Sequence, residues 1–256
     1  MVRRLQEMEA GTTVVSGTLR SLLFILLVGC PFIVFEWRFG ARRVAYRKVV
    51  LRDLGACLVA VLLSLGAAFL LRLVLTELDV GAWLALVPEV PVWAAIPIAI
   101  LGTDFALYWM HRLVHTSPLW RLHRWHHVPR HMYWLMGMRT SMLQQALYGL
   151  IPLLLAALRM SAAFVAAYGL LGTIVNHWMH ANLRFRWRWL EAVLVTPRIH
   201  HVHHSIDPRH RNRNFGSMFC IWDRMFGTFF DPDDVQEPLA FGIPEVVAGP
   251  RIVVGL

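Results

Sequence analysis

Lysine is almost missing from this chain. Lys48 is the only one among 256 residues, and the other basic residues are arginines. Charge of either sign is scarce, at 16% of residues, against 57% hydrophobic. Mean hydropathy is +0.51, and the apolar share exceeds that of ordinary soluble domains. The scarcity argues against a soluble globular protein and for a membrane one. The surplus of +9 then reads as a topology signal at membrane ends rather than a nucleic-acid footprint. Cysteine is equally sparse. Cys30, Cys57 and Cys220 are far apart and form no C-x-x-C, which excludes a disulfide framework and an iron–sulfur pattern. Glu7 and Glu9 precede the first apolar run and no small-residue cleavage site follows it, so no signal peptide is expected.

What is present is apolar length. A first run covers about residues 21–37 and contains Pro31; a basic segment follows at 38–52, with six Lys or Arg. Residues 54–71 are eighteen in a row without a charge. At 1.5 Å per residue they come close to crossing a hydrocarbon core of roughly 30 Å, with Arg72 able to snorkel at the far end. The connection at 77–90 has Glu77, Asp79 and Glu89 but no basic residue. A third run covers about 91–110. Runs at 141–158 and 160–176 read as a tight helical hairpin with Arg159 at its tip. Six basic residues lie in 38–52, five in 112–139 and eight in 184–224. Placing these three segments in the cytoplasm leaves 77–90 outside, as the positive-inside rule asks.

The expectation is an all-α, polytopic membrane protein: two transmembrane helical hairpins plus an N-terminal apolar helix, under a cytoplasmic histidine-rich helical cap. Residues 1–90 would form an N-terminal membrane region, with helices at about 21–37 and 54–76. Residues 91–230 would form a second region that carries the histidines of the cap, and 231–256 an ordered tail over the cytoplasmic part.

Histidine is the residue in excess. His111 and His115 are four apart and share a helix face. His123, His126 and His127 have i, i+3, i+4 spacing, and His200, His203 and His204 repeat it; His177 and His180 are three apart. All ten fall at the ends of apolar runs assigned to one side of the membrane. Imidazole is costly to bury unpartnered and is the commonest metal ligand. A lone histidine is most often a hydrogen-bonded core residue, but four patterned groups on one side favour metal. His131, His201 and His210 do not share these patterns and read as interfacial residues or neighbours of ligands.

Ten ligands exceed the four of a zinc site and fit two metals at about five nitrogens each. Between Asp104 and Asp223 the only other acids are Glu191 and Asp207, and no Glu-x-x-His occurs, so a carboxylate-bridged di-iron site does not fit. A haem would use one or two axial histidines inside the bilayer rather than clusters at its edge. An all-nitrogen pair of sites with open positions suits iron and O₂. Two rival classes are a membrane metal-binding or transport protein and a membrane zinc hydrolase. The first would place ionisable residues along the spans, which contain little beyond Arg72, Gln144 and Gln145. The second wants an acidic general base beside its ligands, and the histidine motifs include none.

Several motifs carry a resemblance. Asp-Phe-x-x-Tyr-Trp-x-His-Arg-x-x-His spans 104–115, and Leu-Trp-Arg-Leu-His-x-x-His-His spans 119–127. His-Ala-Asn follows at 180–182, and Thr-Pro-x-x-His-x-x-His-His-Ser at 196–205. Asn-Phe-Gly lies at 214–216 and Trp-Asp-Arg-Met-Phe-Gly-Thr at 222–228. Over this half of the chain the sequence resembles the fatty acid hydroxylase superfamily, which includes the sterol desaturases. The resemblance implies a membrane-embedded non-haem di-iron enzyme that uses O₂ and external electrons to hydroxylate or desaturate a lipid. It further implies two hairpins under a cytoplasmic histidine cap, with the first run an addition. Its metal ligands would be His111, His115, His123, His126, His127, His177, His180, His200, His203 and His204. Substrate would come from the bilayer, and electrons from a separate protein of ferredoxin or cytochrome b type. Many relatives carry a histidine two residues after an arginine beyond the second motif, where this chain has Arg139, Thr140 and Ser141. The pair at 177 and 180 is also shorter than the His-x-x-x-His of some members.

Four other residues are candidates for support of the site. Asp104 lies two turns before His111 on the same face and could fix a histidine tautomer or cap polar contacts at the membrane edge. Asn182, Asn214 and Asp223 could do the same or close loops. Trp109, Trp120, Trp125, Trp178, Trp187 and Trp189 read as an interfacial aromatic belt. The arginines at 184–188 would face lipid head groups or an acidic electron carrier.

Overall fold

Apolar runs this long fold as helices because no backbone N–H or C=O can be left unpaired in hydrocarbon. A computed structural model describes residues 2–244 and 251–256, with side chains from Ser16 onward. The described residues are mostly helical and contain no strand, only isolated bridges such as Gly40 to Leu183 and Ser205 to Phe241. In chain order the α-helices are α1 (Val2–Phe39), α2 (Tyr46–Glu77), α3 (Val80–Ala85), α4 (Val92–Val114), α5 (Trp120–His127) and α6 (Met142–Tyr148). They continue with α7 (Ile151–Ala157), α8 (Ala162–His180), α9 (Arg188–Glu191), α10 (Pro197–His203), α11 (Ile221–Met225) and α12 (Arg251–Val254). Among the described residues four helices are long and apolar enough to cross a membrane: Ser16–Phe39 within α1, then α2, α4 and α8.

These four coincide with the first, second, third and fifth apolar runs. The fourth run differs from expectation. It is two short helices, α6 and α7, that meet at Gly149 and Leu150. Pro152 occupies the first turn of α7; it has no N–H to continue the ladder from α6, so the helix stops and restarts. Helix α2 begins earlier than residue 54, because the segment carrying Arg47, Lys48 and Arg52 is its first turns; straight-chain basic residues are good helix formers. Pro31 sits inside α1 without ending it.

The expected tip at Arg159 is present. Its φ of 52° lets its N–H reach Ala156 O at 2.9 Å and the Met160 N–H reach Leu155 O at 3.0 Å, closing α7. The Arg159 guanidinium pairs with Glu89 in the loop before α4. The hairpin tip and that loop therefore share one end of the bundle.

The opposite end is organised by two buried carboxylates. Glu36, near the end of α1, accepts hydrogen bonds from the Trp134 and Asn182 N–H groups at 2.8 Å each and from the Tyr46 hydroxyl at 2.9 Å. Asp53 of α2 accepts from the Tyr133 hydroxyl at 2.8 Å and His131 Nε2 at 2.9 Å, and pairs with Arg139. Both acids stitch the 131–139 segment, which includes a 3-10 turn at Trp134–Met138, onto α1 and α2. The apolar cluster around them joins Ile25, Cys57, Val61, Tyr133, Leu135 and Leu183. The first tail residues pack on this end too, with Ile206 N–H donating to Ala240 O at 3.0 Å and Phe241 lying 5.8 Å from the His201 ring. Within the expected tail, residues 245–250 lie outside the described residues. Beyond them, Ile252 of α12 is buried against Ala60 and Trp125, so Trp125 is a core residue rather than part of an aromatic belt.

Helix α1 approaches the 3-10 turn so closely that a Cβ at Gly29 would come within 2.1 Å of the Trp134 ring. Gly29→Leu should therefore force α1 away from Trp134 and destabilise the fold by about 1–3 kcal/mol. The check is a lower thermal midpoint in detergent than for Gly17→Leu, where a Cβ meets nothing within 4 Å.

Candidate metal centre

Four helices, α4, α5, α8 and α10, with the C-caps of α4 and α10, bring nine of the ten candidate histidines into two groups. His111, His115, His123, His127 and His203 form one; His126, His180, His200 and His204 form the other, and within each group the candidate ligand atoms lie within 4.8 Å of one another. The i, i+4 pair of α4 feeds the first group. Helix α5 feeds both, because His126 and His127, adjacent in sequence, point to different groups, and His203 and His204 divide in the same way. The groups abut: the His127 and His204 rings stack at 4.2 Å, and His123 stacks on His126 at 4.8 Å.

Hydrogen bonding fixes which nitrogen faces inward. His126 Nδ1 lies 3.1 Å from Arg139 O and His180 Nδ1 lies 2.7 Å from Asn176 O. A carbonyl can only accept, so both Nδ1 atoms carry the proton and both Nε2 atoms of the neutral rings are bare. Yet those two Nε2 atoms are 3.1 Å apart, too close for two lone pairs without a cation. His200 Nε2 is 3.0 Å from His180 Nε2 and 3.1 Å from His204 Nε2. In the first group, His111 Nδ1 donates to Phe215 O at 2.9 Å and His203 Nδ1 to Arg213 O at 2.8 Å. His111 Nε2 stands 3.1 Å from His123 Nε2. The Nε2 atoms of His115, His127 and His203 are buried with no hydrogen-bond partner, at a cost of about 1–3 kcal/mol each if nothing bound there. Two nitrogens about 2.1 Å from one metal at right angles would stand about 3.0 Å apart, close to the observed spacing. The donor set thus fits two metal ions, held by imidazole alone. Among the described residues no carboxylate belongs to either group.

The remaining candidates lie outside the two groups. His177 is buried on α8, its Nδ1 3.2 Å from Trp134 O and its Nε2 3.2 Å from Ile25 O; it links α8 to α1 and the 3-10 turn. Asp104 accepts from the Met218 N–H at 2.8 Å, the Phe219 N–H at 3.1 Å and Trp222 Nε1 at 2.8 Å. Asp223 accepts from the Phe215 and Gly216 N–H groups at 2.8 and 2.7 Å and from the Thr228 hydroxyl at 2.7 Å. These two acids set the 214–222 loop, and with it the Phe215 carbonyl that orients His111. Asn182 clamps the chain after α1: its Oδ1 accepts from the Arg42 N–H at 3.0 Å and its Nδ2 donates to Arg42 O at 2.7 Å. Ser141 is committed elsewhere, donating to Leu122 O at 2.6 Å and capping α6.

Sequence reasoning did not single out Asp53, Glu36 or Gly137. Asp53 holds Arg139, whose carbonyl orients His126, so it acts on the second group from α2. A Cβ at Gly137 would lie 2.5 Å from His180 Nδ1, so only glycine lets the 3-10 turn pass that ring. For the two acids a signal existed: a single carboxylate in an apolar helix must have a buried partner. Of the leftover histidines, His131 pairs with Asp53 and His201 meets Arg42 Nη1 at 2.9 Å. His210 is buried against Phe230, 4.8 Å between rings.

The model of the fatty acid hydroxylase family matches residues 96–228, which contain both histidine groups. The chain belongs to the fatty acid hydroxylase family. An alkylglycerol monooxygenase from Danio rerio is 34% identical over 138 residues, covering 54% of this chain and 31% of that protein. An ornithine lipid hydroxylase from Rhizobium tropici is 31% identical over 149 residues, covering 56% and 44%. A Delta(7)-sterol 5(6)-desaturase from Eremothecium gossypii is 29% identical over 144 residues, covering 52% and 37%. This family member thus spans less than half the length of these relatives. No solved structure matches.

Two outcomes test the centre. Asp223→Ala leaves the Phe215 and Gly216 N–H groups unpartnered and frees the carbonyl behind His111. Metal content should fall below that of the unsubstituted protein, with the four-histidine group still loaded; unchanged metal content in the folded variant would show that Asp223 does not act on His111. The second outcome concerns pH. Burial first, then neighbouring histidines, push the imidazoles of His123, His126, His127, His200, His203 and His204 well below their usual 6.5. The unfolded chain takes up protons below about pH 6.5 and the metal-free folded chain does not, so stability must fall as pH drops. Chelator-treated protein should show a steadily lower melting temperature from about pH 7 to pH 5.

Proposed function

We propose that the protein is a membrane-embedded lipid oxygenase whose nine gathered histidines hold two iron ions. The observation that carries the reading is the pair of bare Nε2 atoms of His126 and His180, 3.1 Å apart with both Nδ1 protons committed to carbonyls. Two irons on nitrogen ligands supply O₂ reduction and removal of hydrogen from an unactivated C–H bond. The chain contributes the rest. Carbonyls of Phe215, Arg139, Asn176 and Arg213 hold four rings in one tautomer, and burial keeps the imidazoles neutral and able to ligate. Asp104, Asn182, Asp223 and His177 act as positioning residues behind the ligands. The apolar helices deliver a hydrophobic substrate, in keeping with relatives named for alkylglycerol, ornithine lipid and sterol.

The reaction is hydroxylation or desaturation of a lipid, with electrons from a separate ferredoxin or cytochrome b type protein. The histidine end faces the cytoplasm, a reading supported by the concentration of arginine at that end. Purified full-length protein should contain two irons, and lipids of cells carrying the gene should gain ¹⁸O from ¹⁸O₂ or a new double bond. His126→Ala and His203→Ala, one in each group, should each abolish that product. Intact activity with one iron or none would sink the di-iron reading, and unchanged product from either variant would remove that histidine from the site.

A further inference from the structure

A second concave site lies on the back of α10. A cavity of about 690 Å³ is lined by Arg42, Arg184, Arg186 and Arg198 against two carboxylates, Asp233 and Glu237. His201 and Val202 form part of its wall, while His200, His203 and His204 on the same helix belong to the metal groups. The helix therefore separates this cavity from the metal centre.

The charges in the cavity do not cancel. Arg186 Nη2 and Arg198 Nη2 reach Asp233 at 2.6 and 2.7 Å, and Arg188 pairs with the same carboxylate. Arg198 also holds Glu191, and Arg42 pairs with Glu237. Arg184 has no side-chain partner among the described residues, and Arg42 Nε is buried without one. Counted over the lining residues alone, positive charge exceeds negative by two. Guanidinium forks facing one shallow chamber suit the oxygens of a phosphate group.

Position indicates where the phosphate comes from. Arg42 follows the end of α1 at Phe39 by three residues, and Arg184 follows the end of α8 at His180 by four. Both helices are long and apolar enough to cross a membrane, so the cavity is at the level of lipid head groups. Trp37, Trp187 and Trp189 nearby in sequence are 83%, 40% and 75% exposed, as aromatic residues at a membrane interface are. Leu183, Val235 and Leu239 give the chamber an apolar wall for the glycerol and first methylenes.

We propose that this cavity binds the phosphate head group of an anionic membrane lipid, as a site separate from the reaction centre. The proposal uses the membrane setting of α1 and α8 and does not depend on the metal or the reaction.

The test uses the full-length, metal-loaded protein in neutral detergent, titrated with phosphatidylglycerol, phosphatidylcholine or inorganic phosphate and read by native mass spectrometry. Phosphatidylglycerol should bind about tenfold more tightly than phosphatidylcholine, the difference of one uncompensated charge–guanidinium contact. Arg184→Gln, whose side chain supports no other contact, should weaken it about tenfold with iron content unchanged, and Arg186→Gln should do the same. Arg211→Gln removes the same charge from an exposed position outside the cavity and should change nothing. Equal binding of the two lipids, or equal effects of Arg184→Gln and Arg211→Gln, would overturn the proposal. Displacement of the lipid by inorganic phosphate at similar concentration would make this a free-phosphate site and overturn the lipid assignment. Iron content and product formation are read separately, so loss of the oxygenase reading leaves this result standing.

Discussion

Two unprotonated imidazole nitrogens facing each other at 3.1 Å repel. The rest of this structure holds them there. The carbonyls of Arg139 and Asn176 take the only protons that could have turned the contact into a hydrogen bond. The same device recurs at His111 and His203. A backbone carbonyl is a stiff partner, since moving it means moving the loop or helix that carries it. The centre is therefore set by the polypeptide path, and a bound cation would turn the repulsion into attraction.

Behind the carbonyls stand buried acids that never reach the centre. Asp104 and Asp223 set the loop carrying Phe215, Asp53 holds Arg139, and Glu36 fastens the 3-10 turn to the end of α8. These four carboxylates come from α1, α2, α4 and α11, so three of the four long apolar helices each carry one. The first two helices lie outside the matched family region, yet Glu36 and Asp53 tie them to it. The first run, read from sequence as an addition, is in the fold tied through Glu36 to the 3-10 turn and to the chain just past α8.

Much of this was legible in the residues. The i, i+3, i+4 spacing of His123, His126 and His127 and of His200, His203 and His204 indicated convergence on a face, and uncharged length located four helices. The broken fourth run was harder, because composition continued across Gly149 and Pro152 and hydropathy does not register a missing N–H. His177 has the same spacing logic as His180 yet faces Trp134 O and Ile25 O, a contact that arises only once α1 packs on α8. How the histidines divide between the two groups was also hidden. Spacing says which residues share a helix face, whereas the division depends on which neighbouring helix each ring meets.

That division has a mechanical consequence. His126 and His127 are consecutive, as are His203 and His204, and each pair straddles the two groups. Neighbouring residues on an α-helix project about 100° apart, so α5 and α10 each reach both groups with one pair of adjacent side chains. A slip in the register of either helix would disturb both groups at once, so the two work as a pair of meshed gears whose teeth are single residues.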